Sequence, residues 1–398
     1  MRATPRSLLL LVVAVVALVA GACLPPAPTP APQVTPAAPT TKPPTTTQPP
    51  QAAALPPAPG GVTAGSVIVN PGNGARAIDF PDPFVLLTNG VYYAYSTGEL
   101  FGARIQVITS TDGVNWTWVG DAFPANGGSG WSDLPAATNW GPSVLERPAN
   151  PASKRYVLYY ASQSKVGATN GKQCIGRAYS ASPTGPFVDE ETTPFICSPG
   201  VGGSIDPSPI VVDGRVWLTW KTEGVPYPNY APTEIFSTPL TDDGLSLIYG
   251  PSGSNLSLIG SSLLLSIDQS PGSWEWPIIE GPSMIANPAG SGFLLFYSAN
   301  EWQTANYKVA VASCSYVSGP CTRIYSTPLM PTRGSGTSAM TGPGGESVFQ
   351  DANGVWKVAF HAWTGNNYPY TGHEFDPNYA RSLRFLPLTF VNGLPKIG

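Results

Sequence analysis

Five times along the chain a proline opens an apolar strand, and the residue ahead of it is always Asp or Gly: Asp82-Pro83, Gly141-Pro142, Asp206-Pro207, Gly281-Pro282 and Gly342-Pro343. Successive prolines lie 59, 65, 75 and 61 residues apart. One supersecondary unit returning at a spacing of tens of residues marks a repeat architecture, in which each unit buries its faces against its neighbours. A turn and an aromatic-rich strand follow each proline-led strand. In units one, three and five the turn holds Asn89-Gly90, Asp213-Gly214 and Asn353-Gly354, pairs that tolerate the positive φ of a tight hairpin. Units two and four use longer turns, with residues 157–160 expected to pair with Val144-Leu145 and residues 293–297 with Met284-Ile285. These two units match further, since Ala178, Gly185-Pro186 and Thr193-Pro194 recur as Ala312, Gly319-Pro320 and Thr327-Pro328 at one offset of 134. No 3.6-residue apolar pattern supports a helical solenoid. The expected fold is all-β, a five-bladed β-propeller with four-stranded antiparallel blades around a central channel, over residues 61–398.

The N-terminal part is of another kind. Arg2 and Arg6 precede an apolar run over residues 8–20, too short to span a bilayer comfortably, so residues 1–22 read as an export signal. Ala20-Gly21-Ala22-Cys23 fits either an ordinary signal-peptidase site or a lipobox with a lipidated Cys23. The chain has five Cys. Cys174 with Cys197 and Cys314 with Cys321 make two local disulfides in an oxidising compartment, which leaves Cys23 over for lipidation. Residues 23–60, nearly all Pro, Thr, Ala and Gln after the Cys, bury too little to fold and read as a stalk. As polyproline II its 37 residues from Leu24 would reach on the order of 100 Å. A cell-surface lipoprotein is expected, with a secreted protein as the alternative. The expected protein is a monomer that touches membrane only through its N-terminal lipid.

Charged residues make up 11% of the chain against about 25% in ordinary domains. A net charge of −4 without a Lys/Arg cluster gives no footprint for nucleic acid. The two His, His361 and His373, are too few and too isolated for a zinc cluster, and no phosphate loop or serine elbow is present. No cofactor is expected to be required.

In a propeller the first strand of each blade lines the channel, so the residues beside the five prolines converge at one mouth. Asp82 and Asp206 precede their prolines directly, and Glu280 stands one residue earlier in unit four. Three blades thus bring one carboxylate each to the mouth. Glycoside hydrolysis needs two carboxyl groups across the scissile bond, one to protonate the leaving oxygen and one as base or nucleophile.

Residues 80–84 (Phe-Pro-Asp-Pro-Phe), 204–208 (Ser-Ile-Asp-Pro-Ser) and 279–283 (Ile-Glu-Gly-Pro-Ser) resemble the three acidic motifs of glycoside hydrolase family 43. Residues 140–144 resemble its second-blade segment and residues 360–363 its fifth-blade strand. The resemblance runs from about Asp79 to the C-terminus. It implies an inverting glycosidase acting on polysaccharide or oligosaccharide, arabinofuranosyl or xylosyl units first, with Asp82 as general base, Glu280 as general acid and Asp206 as the third carboxylate, raising the pKa of Glu280. Asp79 competes with Asp82 but lacks the proline register. Trp140, in the register of Glu280, and Phe84 are candidates to stack on a sugar face, with blade packing as the alternative. Glu223 either reaches the rim or is a solvated loop charge. Residues 110–116 resemble an Asp-box turn, read as structural.

Many members of that family carry a His after Gly-Pro-Gly in the fifth blade, which helps hold a calcium ion or water in the channel. This chain has Gly345 there, with Glu346 next to it, so a channel calcium is doubtful. Two other functions stay open. One is a non-catalytic carbohydrate-binding lipoprotein. The other is a retaining glycosidase or fructosyl transferase of the related five-bladed families, although neither their Asn-Asp-Pro-Asn nor their Glu-Cys motif is found.

Overall fold

The computed structural model describes residues 79–98, 103–125, 127–134, 138–249, 260–333, 340–363 and 380–398, together with a two-residue strand, β1 (Ser66–Val67). The expected signal, the lipidated Cys23, the stalk and His373 lie outside the described residues.

The remaining strands fall into five antiparallel sheets in chain order. Blade one contains β2 (Phe84–Thr88), β3 (Val91–Thr97), β4 (Ile105–Ser110) and β5 (Thr117–Asp121). Blade two contains β6 (Trp140–Glu146), β7 (Tyr156–Gln163) and β8 (Gln173–Ser180), and an isolated Tyr179–Val188 bridge stands in place of its fourth strand. Blade three runs β9 (Ser204–Val212), β10 (Arg215–Thr222), β11 (Glu234–Pro239), β12 (Ser262–Ser266). Blade four runs β13 (Ile279–Ala286), β14 (Phe293–Ala299), β15 (Lys308–Cys314), β16 (Cys321–Arg323). Blade five combines β17 (Thr341–Gln350), β18 (Trp356–Trp363) and β19 (Arg381–Val391) with β1, which pairs Ser66 with Phe385 and Val67 with Arg384. The ring is therefore closed by an N-terminal strand added to a C-terminal sheet, and β20 (Leu394–Ile397) pairs with the far end of β19. The first strands β2, β6, β9, β13 and β17 neighbour one another in a closed cycle.

The apolar runs follow from this arrangement. Each blade is sandwiched between two others, so alternate residues of a middle strand enter different cores. Tyr156, Leu158 and Tyr160 of β7 pack with Tyr95, Ile105 and Val107 of blade one. Val157 and Tyr159 between them pack with Val216, Leu218 and Trp220 of blade three. In β14, Leu295 and Tyr297 face Ile235 of blade three, while Leu294 and Phe296 face Val358 and Phe360 of blade five. A fifth cluster joins Ala359 and Leu383 to Val85, Tyr92 and Ala94. A strand buried on both faces loses the in/out polar alternation, and each such side chain contributes about 1.5–3 kcal/mol.

The expected pairings hold: Val144 opposes Leu158, and Met284 opposes Leu295. Asn89-Gly90 and Asp213-Gly214 both take positive φ through both residues, as two-residue hairpins require. The fifth unit differs. Gln350 pairs with Trp356, leaving a wider loop held by Asp351, whose Oδ1 accepts the N–H groups of Asn353 and Val355. Both disulfides are present. Cys314–Cys321 joins β15 to β16, and Cys174–Cys197 ties β8 to the segment that bridges it at Ile196. A loop of 23 residues such as the second is worth about 3 kcal/mol in the chain-entropy account.

Candidate active site

The proline repeat is a repeat of backbone conformation. The residue before each proline adopts positive φ in all five blades: Asp82 at 52°, Gly141 at 51°, Asp206 at 55°, Gly281 at 58° and Gly342 at 55°. The kink breaks the pairing register beside it in blades two to five, for example between Glu280 and Ser283. Three blades meet the demand with Gly, which has no Cβ to clash. Two meet it with Asp, which tolerates this region better than most side chains but still at a cost of about 1–3 kcal/mol. Non-Gly residues held this way point to function.

Asp82, Asp206 and Glu280 all line one cavity of about 520 Å³, as do Trp140, Phe84, Asp79 and Glu223. Thr97 Oγ1 donates to Asp82 Oδ2 at 2.5 Å and accepts the Gly141 N–H at 3.0 Å, so blade two helps orient the carboxylate of blade one. The Asp82 N–H donates to His361 Nδ1 at 3.0 Å. Burial pushes Asp82 up to about 6, against the lowering influence of Arg381 and Thr97, with Glu280 and Asp79 adding to the rise.

Asp206 Oδ2 accepts the Gly281 N–H at 2.9 Å, which ties the third carboxylate to the residue following Glu280. Its other oxygen lies so close to blade two that a Cβ on Gly141 would come within 2.8 Å of it. Burial, and then the Glu280 charge, push Asp206 up to about 8, while Lys221 pulls the other way. Glu280 is held at both oxygens. Tyr307 Oη donates to Oε1 at 2.8 Å, and Lys221 Nζ lies 3.3 Å from Oε2. Lys221 is itself 2% exposed; burial would lower its pKa, but Glu280, Glu223 and Asp206 together raise it.

The other expected residues divide. Asp79 is occupied by Arg381, which donates to it from its backbone N–H at 2.7 Å and from its guanidinium at 2.9 Å. That guanidinium lies over the Trp302 ring at 4.4 Å, a cation–π contact between two residues that line the cavity. Phe84 lines the cavity while also packing on the core between blades one and two. Glu223 reaches the rim, 3.9 Å from Lys221, instead of standing as a solvated loop charge. The Asp112 turn is structural, its Oδ1 accepting the Val114 and Asn115 N–H groups.

Lys221, Tyr307, Thr97, Arg381 and Trp302 were not singled out by sequence reasoning. Lys221 alone carried a signal, because a lysine that follows the apolar Leu218 and Trp220 within one strand is out of place unless it is paired.

In the fifth blade two buried polar atoms beside Gly345, His361 Nε2 and Glu346 Oε1, have no hydrogen-bond partner among the described residues. A Cβ on Gly345 would fall 2.5 Å from Asp82 Oδ1 and 2.7 Å from the His361 ring, so no side chain can project there. His361 accepts the Asp82 N–H hydrogen bond at Nδ1, so the neutral imidazole carries its proton on Nε2; burial and Arg381 hold its pKa well below the usual value. Among the described residues no three His, Cys, Asp or Glu side chains are grouped to hold a metal ion.

The chain is similar to an arabinoxylan arabinofuranohydrolase of Paenibacillus polymyxa, 29% identical over an alignment of 184 residues that covers 39% of this chain and 27% of that protein. The match thus spans about a quarter of the relative's length. Among solved structures, a thermostable family-43 glycoside hydrolase superposes with a TM-score of 0.62 at 22% identity, over 83% of this chain and 95% of the other. An α-L-arabinanase of Cellvibrio cellulosa, complexed with arabinohexaose, gives 0.56 at 20% over 81% and 96%. At such identities the likeness is one of fold. The family model itself matches residues 73–395, and the chain belongs to family 43 of the glycosyl hydrolases.

Proposed function

We propose that this protein hydrolyses O-glycosidic bonds of arabinofuranosyl- or xylosyl-containing polysaccharide by a single inverting displacement. The observation that carries this reading is that three carboxyl groups, from blades one, three and four, share one cavity, two of them, Asp82 and Asp206, pushed up by burial. Asp82, with its pKa near 6, is ionised at neutral pH and serves as general base. It takes a proton from water, whose oxygen attacks the anomeric carbon. The bond from that carbon to the leaving oxygen breaks as Glu280 delivers its proton there. Asp206, protonated up to about 8, keeps a proton within the Asp206–Glu280 pair, as a coupled site does. Lys221 and Tyr307 hold the two oxygens of Glu280 in place in the cavity, which orients the acid before the reaction. Asp82 ends protonated and Glu280 ionised, and both re-equilibrate with solvent.

Arabinan, arabinoxylan and xylan are the substrates to test, with NMR of the first-formed sugar reporting its anomeric configuration. Asp82→Asn and Glu280→Gln are each expected to lose about 10²–10⁴-fold in rate. Wild-type rates in both variants would end the assignment, and a product of retained configuration would end the single displacement.

A further inference from the structure

On segments that continue from cavity residues, three aromatic side chains stack in a row. Tyr227 lies on Tyr230 with ring centroids 4.9 Å apart and planes at 14°, and Tyr230 lies against Trp276 at 5.8 Å and 34°. Such rings are normally buried, yet Tyr227 is 74% exposed and Trp276 39%. With Tyr230 covering one face, that exposure leaves the other face of Tyr227 open to solvent.

The row is continuous with the site already described. Tyr227 and Tyr230 sit on the turn between β10 and β11, which is closed by reciprocal backbone hydrogen bonds of Val225 and Ala231 at 3.0 and 2.9 Å. That turn starts at Glu223, a cavity residue. Trp276 precedes β13, two residues before the cavity residue Ile278 and four before Glu280, so it lies no more than about 14 Å from Glu280 along the chain. The side chain of Asn300 donates to the Trp276 carbonyl and the Asn300 N–H to that of Ile278, which fixes this approach. The platform is therefore tied by short chain segments to both Glu223 and Glu280.

The chemistry of its occupant follows from charge. A nucleobase would stack equally well on a ring, but in the adjoining cavity Asp79, Asp82, Glu223 and Glu301 outnumber Lys221 and Arg381 and would repel its phosphates. A neutral sugar ring has an apolar face for the tyrosine and a polar edge for water. We propose that Tyr227, braced by Tyr230 and Trp276, is a binding subsite for a sugar unit of the neutral polysaccharide, beyond the unit held in the catalytic cavity. The subsite makes the protein act on polymer in preference to short glycosides. It rests on the glycosidase reading, and its test separates the two.

The full chain and its Tyr227→Ala and Tyr227→Trp variants are assayed on arabinoxylan and on p-nitrophenyl α-L-arabinofuranoside. In parallel, Asp82→Asn with and without Tyr227→Ala is run in gels containing arabinoxylan. Tyr227→Ala is expected to lose about tenfold in kcat/KM on polymer, mostly through KM, at least fivefold more than on the aryl glycoside. Tyr227→Trp is expected to restore the polymer rate, and the retardation of Asp82→Asn is expected to vanish when Tyr227 is removed. Equal losses on both substrates, or unchanged retardation, overturn the subsite while hydrolysis by the wild type leaves the glycosidase standing. Tyr227-dependent retardation with no hydrolysis of any substrate keeps the subsite and overturns the glycosidase. Neither retardation nor hydrolysis overturns both.

Discussion

Glu346 offers a quantitative test of how the fifth blade is built. Its side chain is 4% exposed, Oε2 accepts a 2.6 Å hydrogen bond from Ser298, and Oε1 has no hydrogen-bond partner among the described residues. Burial pushes its pKa from 4.5 up to about 8; the Ser298 bond opposes this, and the charges of Glu280 and Asp206 reinforce it. A carboxyl group whose pKa rises on folding stabilises the protein fully below its unfolded pKa and loses that stabilisation as pH rises through the folded value. The interval from 4.5 to about 8, at about 1.4 kcal/mol per pH unit, sets a ceiling of about 5 kcal/mol. Glu346→Gln keeps the shape and the Ser298 bond and removes the titration. Thermal unfolding of both proteins from pH 4 to 9.5 should therefore show the variant gaining on the wild type by roughly 5–10 °C, at about 2 °C per kcal/mol, with most of the gain between pH 5 and 8. A difference in Tm that is constant across this range would refute the buried neutral carboxyl. A difference of opposite sign would mean that Glu346 is ionised in the fold and held there by a cation.

The remaining expectations concern the acids themselves. The profile of kcat/KM against pH should be bell-shaped, rising through about 6 as Asp82 ionises and falling through about 8 as the Asp206–Glu280 pair loses its proton; activity independent of pH between 4 and 7 would remove Asp82 as the base. Lys221→Met should lower kcat and move the alkaline limb to higher pH, because the lysine charge pulls Asp206 down; an unmoved limb would show that Lys221 is not coupled to the pair. Asp82→Asn should be inactive yet more stable than the wild type at pH 8 by up to about 3 kcal/mol, since Asp82 prefers its neutral form and loses that stabilisation as pH rises through about 6. Its side chain is 30% exposed to the cavity, so solvent screening will reduce this figure. Urea unfolding at pH 4 and pH 8 measures it, and a variant less stable at pH 8 than the wild type would contradict the raised pKa.

The blades were legible because each must repeat one backbone kink, and only Gly or Asp before Pro satisfies it cheaply. The three carboxylates were legible for the same reason, as they ride at or beside that kink. Their surroundings were not. Thr97 and Lys221 come from second strands, Tyr307 from the turn before β15, and Arg381 from the start of β19, each in a pattern that packing alone would produce. The partner of Asp79 is 302 residues away, a separation that leaves no trace in local spacing. Closure by β1 was equally silent, since two residues carry no period. The fifth-unit turn looked like the other Asn-Gly hairpins, but the capping by Asp351 widened it.

The kink also explains why the acids are of two lengths. Asp82 and Asp206 occupy the positive-φ position itself, where a short polar side chain is tolerated and a Glu would be worse placed. Glu280 stands one residue earlier in ordinary strand conformation, opposite Ser298, and so can be the longer acid. Gly281 must then fill the kink of blade four, and its N–H becomes the donor that holds Asp206. A carboxylate at position 281 would grow from a Cβ 3.7 Å from both Gly345 Cα and Ser298 Oγ, toward the serine that holds the buried Glu346. The order Asp, Asp, Glu-Gly across blades one, three and four is thus the arrangement that meets the backbone requirement of the fold and still leaves the third carboxylate bound to the segment carrying the acid.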